Sequence, residues 1–196
     1  MGKIVCLMGR SSSGKDTIYK KLLAQDKVGL KTIIPYTTRP VRAGERDGVE
    51  YHFTDEAGFQ ELLSRGSVIE ARAYHTCLGL WRYFTVADDT VNLAANSYIM
   101  IGTLEAYVHM QKFYGKDKVL PVMIELDDGV RLQRALDRER AEDNPQYEEM
   151  CRRFLADAED FSEERLKKTG IAKTFYNGDL DMCLEEILLY LQENLD

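Results

Sequence analysis

The tightest constraint on this chain is the segment Gly9-Arg10-Ser11-Ser12-Ser13-Gly14-Lys15-Asp16-Thr17, which follows the apolar run ending at Met8 and precedes a segment with Ile18, Leu22 and Leu23 on one helical face. A strand that runs into a glycine-bracketed turn and then a helix is a local device for holding an anion. Gly9 and Gly14 let the backbone curl so that successive N–H groups point inward, and the start of the helix adds its positive dipole end. Ser11, Ser12 and Ser13 line the turn, and Lys15 reaches the outer phosphates of a nucleotide tail. A hydroxyl normally follows the lysine and helps hold Mg²⁺. Here that position is Asp16, with the Thr17 hydroxyl one step later. An aspartate there can ligate Mg²⁺ directly or through water, but it also adds negative charge beside the phosphates.

Downstream, the periodicities alternate between strand and helix. Strands are predicted at Lys3 to Met8, Lys31 to Tyr36, Tyr98 to Gly102, Lys118 to Leu126 and Ala172 to Tyr176. Helices are predicted at Gly14 to Gln25, at Leu104 to Phe113, from about Asp128, from Gln146 to Lys168 after the Asn144-Pro145 interruption, and at the carboxyl terminus. Such alternation predicts an α/β fold of three α/β/α layers with a central parallel five-stranded sheet, and ligands at the carboxyl ends of its strands. Between Thr37 and about Asp89 the pattern changes to short β-like runs (Glu50 to Thr54, Ser67 to Ala73, Trp81 to Val86) around one helix, Glu56 to Arg65. We read residues 37–89 as an inserted subdomain in a core of 1–36 and 90–196, within one domain spanning 1–196.

The 196 residues are 44% hydrophobic, enough for a real core, and no apolar run is long enough to span a bilayer. Cys6, Cys77, Cys151 and Cys183 are scattered, with no metal-ligand spacing, which fits reduced thiols and a cytoplasmic location. A net charge of −7 argues against nucleic acid or an anionic membrane as partner. The basic clusters Arg39, Arg42, Arg46 and Arg131, Arg134, Arg138, Arg140, Arg152, Arg153 therefore need their own explanation. Small phosphorylated ligands suit them, because guanidinium forks match phosphate oxygens; solvated helix faces with ion pairs are the plainer alternative.

The stretch from Thr37 to Phe53, TTRPVRAGERDGVEYHF, resembles the GMP-binding segment of the guanylate kinase family, T-T-R-x-x-R-x-G-E-x-x-G-x-x-Y-x-F, almost position for position. The resemblance implies an ATP- and Mg²⁺-dependent nucleoside monophosphate kinase with GMP as acceptor. Arg39, Arg42 and Tyr51 would clamp the acceptor phosphate and Glu70 would recognise guanine. Tyr83 would match a phosphate-binding tyrosine and Thr85 a base-contacting hydroxyl. Lys15 and Asp16 with Thr17 would serve ATP·Mg²⁺, and Asn177 would lie near the adenine. A helical lid over about 138–152 would bring arginines to the transferring phosphoryl group: Arg134, Arg138 or Arg140 on one side and Arg152 on the other, with Arg138 and Arg152 the first choice.

The likeness is dense over residues 1–70 and looser beyond. Where the family strand ends Asp-x-Asp, this chain has Ile101 and Thr103, so guanine recognition is left to Glu70 with Thr85 and Thr103. Two other readings remain open at this level: a kinase of the same fold with a different phosphorylated acceptor, and a non-catalytic binding module.

Overall fold

In the computed structural model, residues 1–25, 28–42, 44–76, 79–87 and 90–195 are described. The first strand, β1 (Ile4–Gly9), is buried along its whole length. It is followed by α1 (Lys15–Leu23), β2 (Lys31–Thr32), β3 (Tyr36–Thr37), β4 (His52–Phe53), α2 (Glu56–Ser64), β5 (Val68–Thr76) and β6 (Gly79–Val86). Then come β7 (Tyr98–Gly102), α3 (Leu104–Tyr114), β8 (Val119–Glu125), α4 (Asp128–Arg140), α5 (Tyr147–Asp160), α6 (Glu163–Thr169), β9 (Thr174–Tyr176) and α7 (Leu180–Leu195).

The central sheet has the order β2-β7-β1-β8-β9 and every pairing in it is parallel. The predicted five-stranded parallel sheet is therefore present. β1 is central because both its faces are apolar, as a strand covered on both sides requires. Ile4, Cys6 and Met8 pack into one cluster with Leu104, Tyr107 and Met110 of α3. Val5 and Leu7 pack into the other with Ile18 and Leu22 of α1 and Ile187 and Leu191 of α7. The alternation along a single strand thus builds both helical layers. Among the described residues no helix is long and apolar enough to cross a membrane.

A second sheet, β4-β3-β6-β5, lies within residues 36–86 and mixes parallel and antiparallel pairs. Phe59 of α2 packs with Phe84 and Val86 in its small core, and Asp55 caps α2 by accepting from the Gly58 N–H at 2.8 Å.

Three local expectations are corrected. The predicted strand Lys31 to Tyr36 divides into β2 and β3. Pro35 has no N–H to donate to a ladder, and its carbonyl accepts from His52 N in the second sheet at 2.9 Å, so the chain leaves one sheet for the other there. The predicted helix Gln146 to Lys168 breaks between α5 and α6. Phe161 turns into the core beside β1 and its carbonyl accepts from Arg10 Nη2 at 3.0 Å, while Ser162 takes an extended backbone and starts α6. The β-runs predicted at Ser67 to Ala73 and Trp81 to Val86 extend to Thr76 and Gly79, making a longer hairpin. The Cys77 thiol predicted to be reduced, Ala43 within the acceptor motif and Asp89 at the subdomain boundary lie outside the described residues.

Phe84 is fully buried, with ring centroids 4.9 Å from Phe59 and 5.4 Å from Tyr36. Phe84→Ala is expected to cost about 3–5 kcal/mol, the usual range for removing a buried aromatic ring. Urea denaturation of the variant against wild type measures it.

Candidate functional site

The phosphate loop leaves the carboxyl end of β1 and enters α1 at Gly14, which has a left-handed backbone (φ 89°). A side chain at Gly14 would meet Asn177 Nδ2 at 2.3 Å, so both conformation and space demand glycine. At Gly9 an added methyl would lie 2.9 Å from the Ile124 carbonyl. Several side chains hold the loop. Asn177 Nδ2 donates to the Ser13 carbonyl at 2.7 Å, Arg131 Nη1 donates to the Ser11 carbonyl at 3.1 Å, and Asp157 accepts the Ser11 N–H at 2.6 Å. Asn177, expected near the adenine, therefore directly supports the turn.

The fit to a phosphate chain can be judged from what the loop leaves unpaired. The buried hydroxyls of Ser12 and Ser13 have no hydrogen-bond partner among the described residues, and such orphaned donors in a turn beside Lys15 suit anionic oxygens. Lys15 Nζ lies 3.7 Å from Asp16, whose carboxylate is largely exposed. Asp16 and Thr17 line a basin beside Gly14, Arg134, Arg138 and Asn177. Among the described residues no group of three or more His, Cys, Asp or Glu side chains could cage a metal. Asp16 and Thr17, both exposed beside the loop, offer oxygen atoms, the ligand type that suits Mg²⁺.

Against the loop opens a cavity of about 290 Å³ whose lining includes Gly9, Ser11, Lys15, Arg39, Arg42, Tyr51, Tyr83, Thr103 and Arg152. Residues predicted from distant parts of the chain for donor and acceptor are thus brought to one space. A neighbouring cavity of about 550 Å³ shares Ser11, Lys15, Arg42 and Arg153 with it and adds Ser12, Asp16 and Arg138.

The cations in this space fall into two sets. Arg39 is 3% exposed, and its fork is held bidentately by Glu45 at 2.6 and 2.7 Å. Its guanidinium lies 5.0 Å from the Tyr51 ring centroid, and Tyr51 meets Tyr83 edge-on at 5.7 Å. Burial, with the neighbouring Tyr83, raises the Tyr51 phenol pKa, so it remains a hydrogen-bond donor at neutral pH. Arg152 is likewise held bidentately, by Glu149 at 2.7 Å in both bonds.

Arg153 differs. Its Nε is buried and makes no hydrogen bond among the described residues, Glu149 and Glu139 stand off at 3.9 and 4.0 Å, and its pKa is lowered by burial and then by the positive charges of Arg138 and Arg42. Crowded cations whose own carboxylates stand too far for a hydrogen bond describe a place that an anion would relieve. Sequence reading singled out Arg152 and passed over Arg153, because the phase of α5 after the Asn144-Pro145 interruption was not readable. Arg131 was grouped with the basic cluster, yet it is fully buried against Phe154 and Asp128 and acts on the loop backbone.

Glu70 and Thr85 are placed differently from the other expected acceptor residues. Both are buried, the Thr85 hydroxyl donates to Glu70 Oε1 at 2.8 Å, and neither lines the cavity. Arg72, which sequence reading missed, lies between Glu70 and the cavity. The signal was present: residues two apart on a strand share a face, so Glu70 and Arg72 were neighbours in any β reading of this segment.

Fold and site together define a P-loop α/β protein with an arginine-lined cleft between its parallel sheet and a smaller second sheet. The guanylate kinase family model matches residues 1–81. The guanylate kinase of Anaplasma phagocytophilum is 30% identical over 145 residues, spanning 74% of this chain and 67% of the relative. That of Methylobacillus flagellatus is 37% identical over 101 residues, 51% of this chain and 47% of the relative. The chain belongs to the guanylate kinase family. Aligned regions span about half the length of most of the curated relatives it matches. The crystal structure of the Anaplasma phagocytophilum guanylate kinase superposes over 100% of this chain and 87% of its own at a TM-score of 0.69 and 20% identity, a likeness of fold.

Two outcomes follow from the site geometry. Gly14→Ala is expected to weaken binding of a nucleoside triphosphate by about tenfold or more, since a shift of the loop forfeits at least one charge-assisted hydrogen bond; titration calorimetry reads it. Hydrogen bonds from Arg39 hold the Glu45 carboxyl below its ordinary pKa, with burial opposing. A lowered folded-state value means the stabilisation is complete above the ordinary carboxylate pKa of about 4.3 and is lost as pH falls through the lowered value. The melting temperature of wild type should therefore exceed that of Glu45→Gln at pH 7, and the gap should close on acidification below about pH 4.

Proposed function

We propose that this protein transfers the γ-phosphate of ATP to a nucleoside monophosphate, with GMP, the acceptor its family name indicates, as the first candidate. The observation that carries the reading is the convergence of the phosphate loop with Arg39, Arg42 and Tyr51 on one cavity, although these residues are 24 or more positions apart from Lys15 in the chain. One cradle serves a triphosphate tail and the other a single phosphate, and a shared wall puts donor and acceptor in reach of each other.

Catalysis in such a site is positioning and charge stabilisation. Lys15 and the loop amides hold the donor phosphates. Mg²⁺, when bound, neutralises charge on the donor phosphates beside Asp16 and Thr17. Arg39, held by Glu45, presents a fixed positive wall, and Arg42 with Tyr51 completes the acceptor clamp. Arg138 and Arg153, together with Arg152, face the space where charge accumulates as the phosphoryl group transfers. No side chain needs to act as a general base, because the attacking oxygen of a monophosphate is already anionic. The segment 138–152, reading as a lid, would close over the cleft and exclude water.

A second reading, a kinase of this fold whose acceptor differs at its base, is favoured by one observation: Glu70 is sealed from the cavity.

A coupled ADP-release assay over GMP, dGMP, IMP, AMP, UMP and CMP tests the proposal. Turnover is expected with a purine monophosphate, and Lys15→Met is expected to lower it by 10² or more, an effect of about 2.7 kcal/mol in transition-state stabilisation. Undiminished turnover in Lys15→Met, or none with any acceptor, would overturn it.

A further inference from the structure

The far end of the acceptor cavity is built in a way that a guanine-reading carboxylate does not explain. The Glu70 side chain is 1% exposed, with Oε1 accepting from Thr85 Oγ1 at 2.8 Å and Oε2 from Arg72 Nε at 3.1 Å. Arg72 is 17% exposed and lines the cavity, and its Nη1 donates to Thr103 Oγ1 at 3.2 Å. The Thr103 hydroxyl also accepts the Ala106 N–H at 3.3 Å as the cap of α3, so the end of a helix and the carboxylate fix the guanidinium from two sides. From the interior toward the cavity the order is Thr85, Glu70, Arg72. What an incoming base meets there is the Arg72 guanidinium with its N–H donors, beside Tyr74 and Asp160 in the lining, and the Glu70 carboxylate stands behind it.

That order reverses the hydrogen-bonding sense of the pocket. A carboxylate selects guanine through the paired donors N1–H and the 2-amino group. A guanidinium selects hydrogen-bond acceptors, and on a purine its best match is O6 with N7, whereas adenine turns an amino donor toward it.

We propose that Arg72 is the specificity-determining residue for the acceptor: it cancels Glu70 and reads the O6/N7 edge, so the protein takes 6-oxopurine monophosphates as a class, GMP, IMP and XMP alike, without selecting the 2-amino group. The inference rests on the cavity being the acceptor site of a monophosphate kinase. It differs from the plainer view that Arg72 and Glu70 are only an ion pair holding β5, which would affect stability and leave selectivity untouched.

Titration calorimetry of the full chain with GMP, IMP, XMP and AMP, with thermal melting to confirm folding, tests it. Wild type should bind GMP, IMP and XMP within about threefold of one another and AMP about tenfold or more weaker, the usual worth of one good base-edge pair. Arg72→Ala uncovers Glu70, so GMP over IMP should rise to about tenfold while IMP weakens by a similar factor. Glu70→Gln should leave the wild-type GMP:IMP ratio within about threefold, because the carboxylate does not touch the base. Should Arg72→Ala fail to fold, Arg72→Gln keeps an N–H for Glu70 and should weaken IMP by about tenfold without restoring a preference for GMP.

A wild-type preference for GMP over IMP of about thirtyfold or more that Glu70→Gln abolishes would overturn the inference and leave the kinase reading standing. So would variants that melt lower but keep wild-type ratios, or a folded wild type that binds none of the four. The expected selectivity in binding with no ADP formed would overturn the kinase reading alone.

Discussion

β1 paired in parallel on both edges, to β7 and to β8, is the constraint on which the remaining structure depends. A strand buried on both faces and both edges has one polar outlet, its carboxyl end, and there the chain turns through the glycine-bracketed loop. The strand order places β2 and β7 on one side of β1 and β8 and β9 on the other, so β1 lies where the sheet's connections change direction. The loop amides therefore open into a crevice and not onto a helix.

A loop at that position has polar backbone groups that must be satisfied. Three elements from the second half of the chain do so: Asn177 after β9, Arg131 of α4 and Asp157 of α5. The loop is thereby tied to the same helices that carry Arg138, Arg152 and Arg153. A displacement of α5 toward the cleft would act on the loop through Asp157 and on the cavity through the arginines at once.

Charge in this acidic protein is sorted by depth. Its outer helix faces carry ordinary ion pairs such as Lys168 with Glu164, exposed and of small energetic weight. Facing the cavity, the pairing is selective. Arg39 and Arg152 are held by carboxylates at 2.6 and 2.7 Å, whereas Arg153 meets its carboxylates, Glu149 and Glu139, only at 3.9 and 4.0 Å and is crowded by Arg138 and Arg42. Paired cations make rigid walls, and the crowded one marks where negative charge is wanted. At the far end of the cavity the same logic runs in reverse, with a cation, Arg72, neutralising the buried Glu70.

Residues of the sequence by themselves determined the layers, the five parallel strands and the phosphate loop, because each follows from local periodicity and local backbone geometry: apolar alternation along β1, glycine at a left-handed turn, a helix start behind it. They also marked Arg39, Arg42 and Tyr51 as a group, since these occupy a short stretch whose spacing is itself the signal, and the three line one cavity. Tertiary structure alone decided where the chain would leave one sheet for another at Pro35, that α5 would end at Phe161, and which arginine of α5 would be clamped by a close carboxylate and which only loosely paired. It also decided that Glu70 would be covered. Those outcomes turn on packing and charge pairing between residues remote in sequence, and a carboxylate's availability depends on which neighbour reaches it first, which in this fold is Arg72.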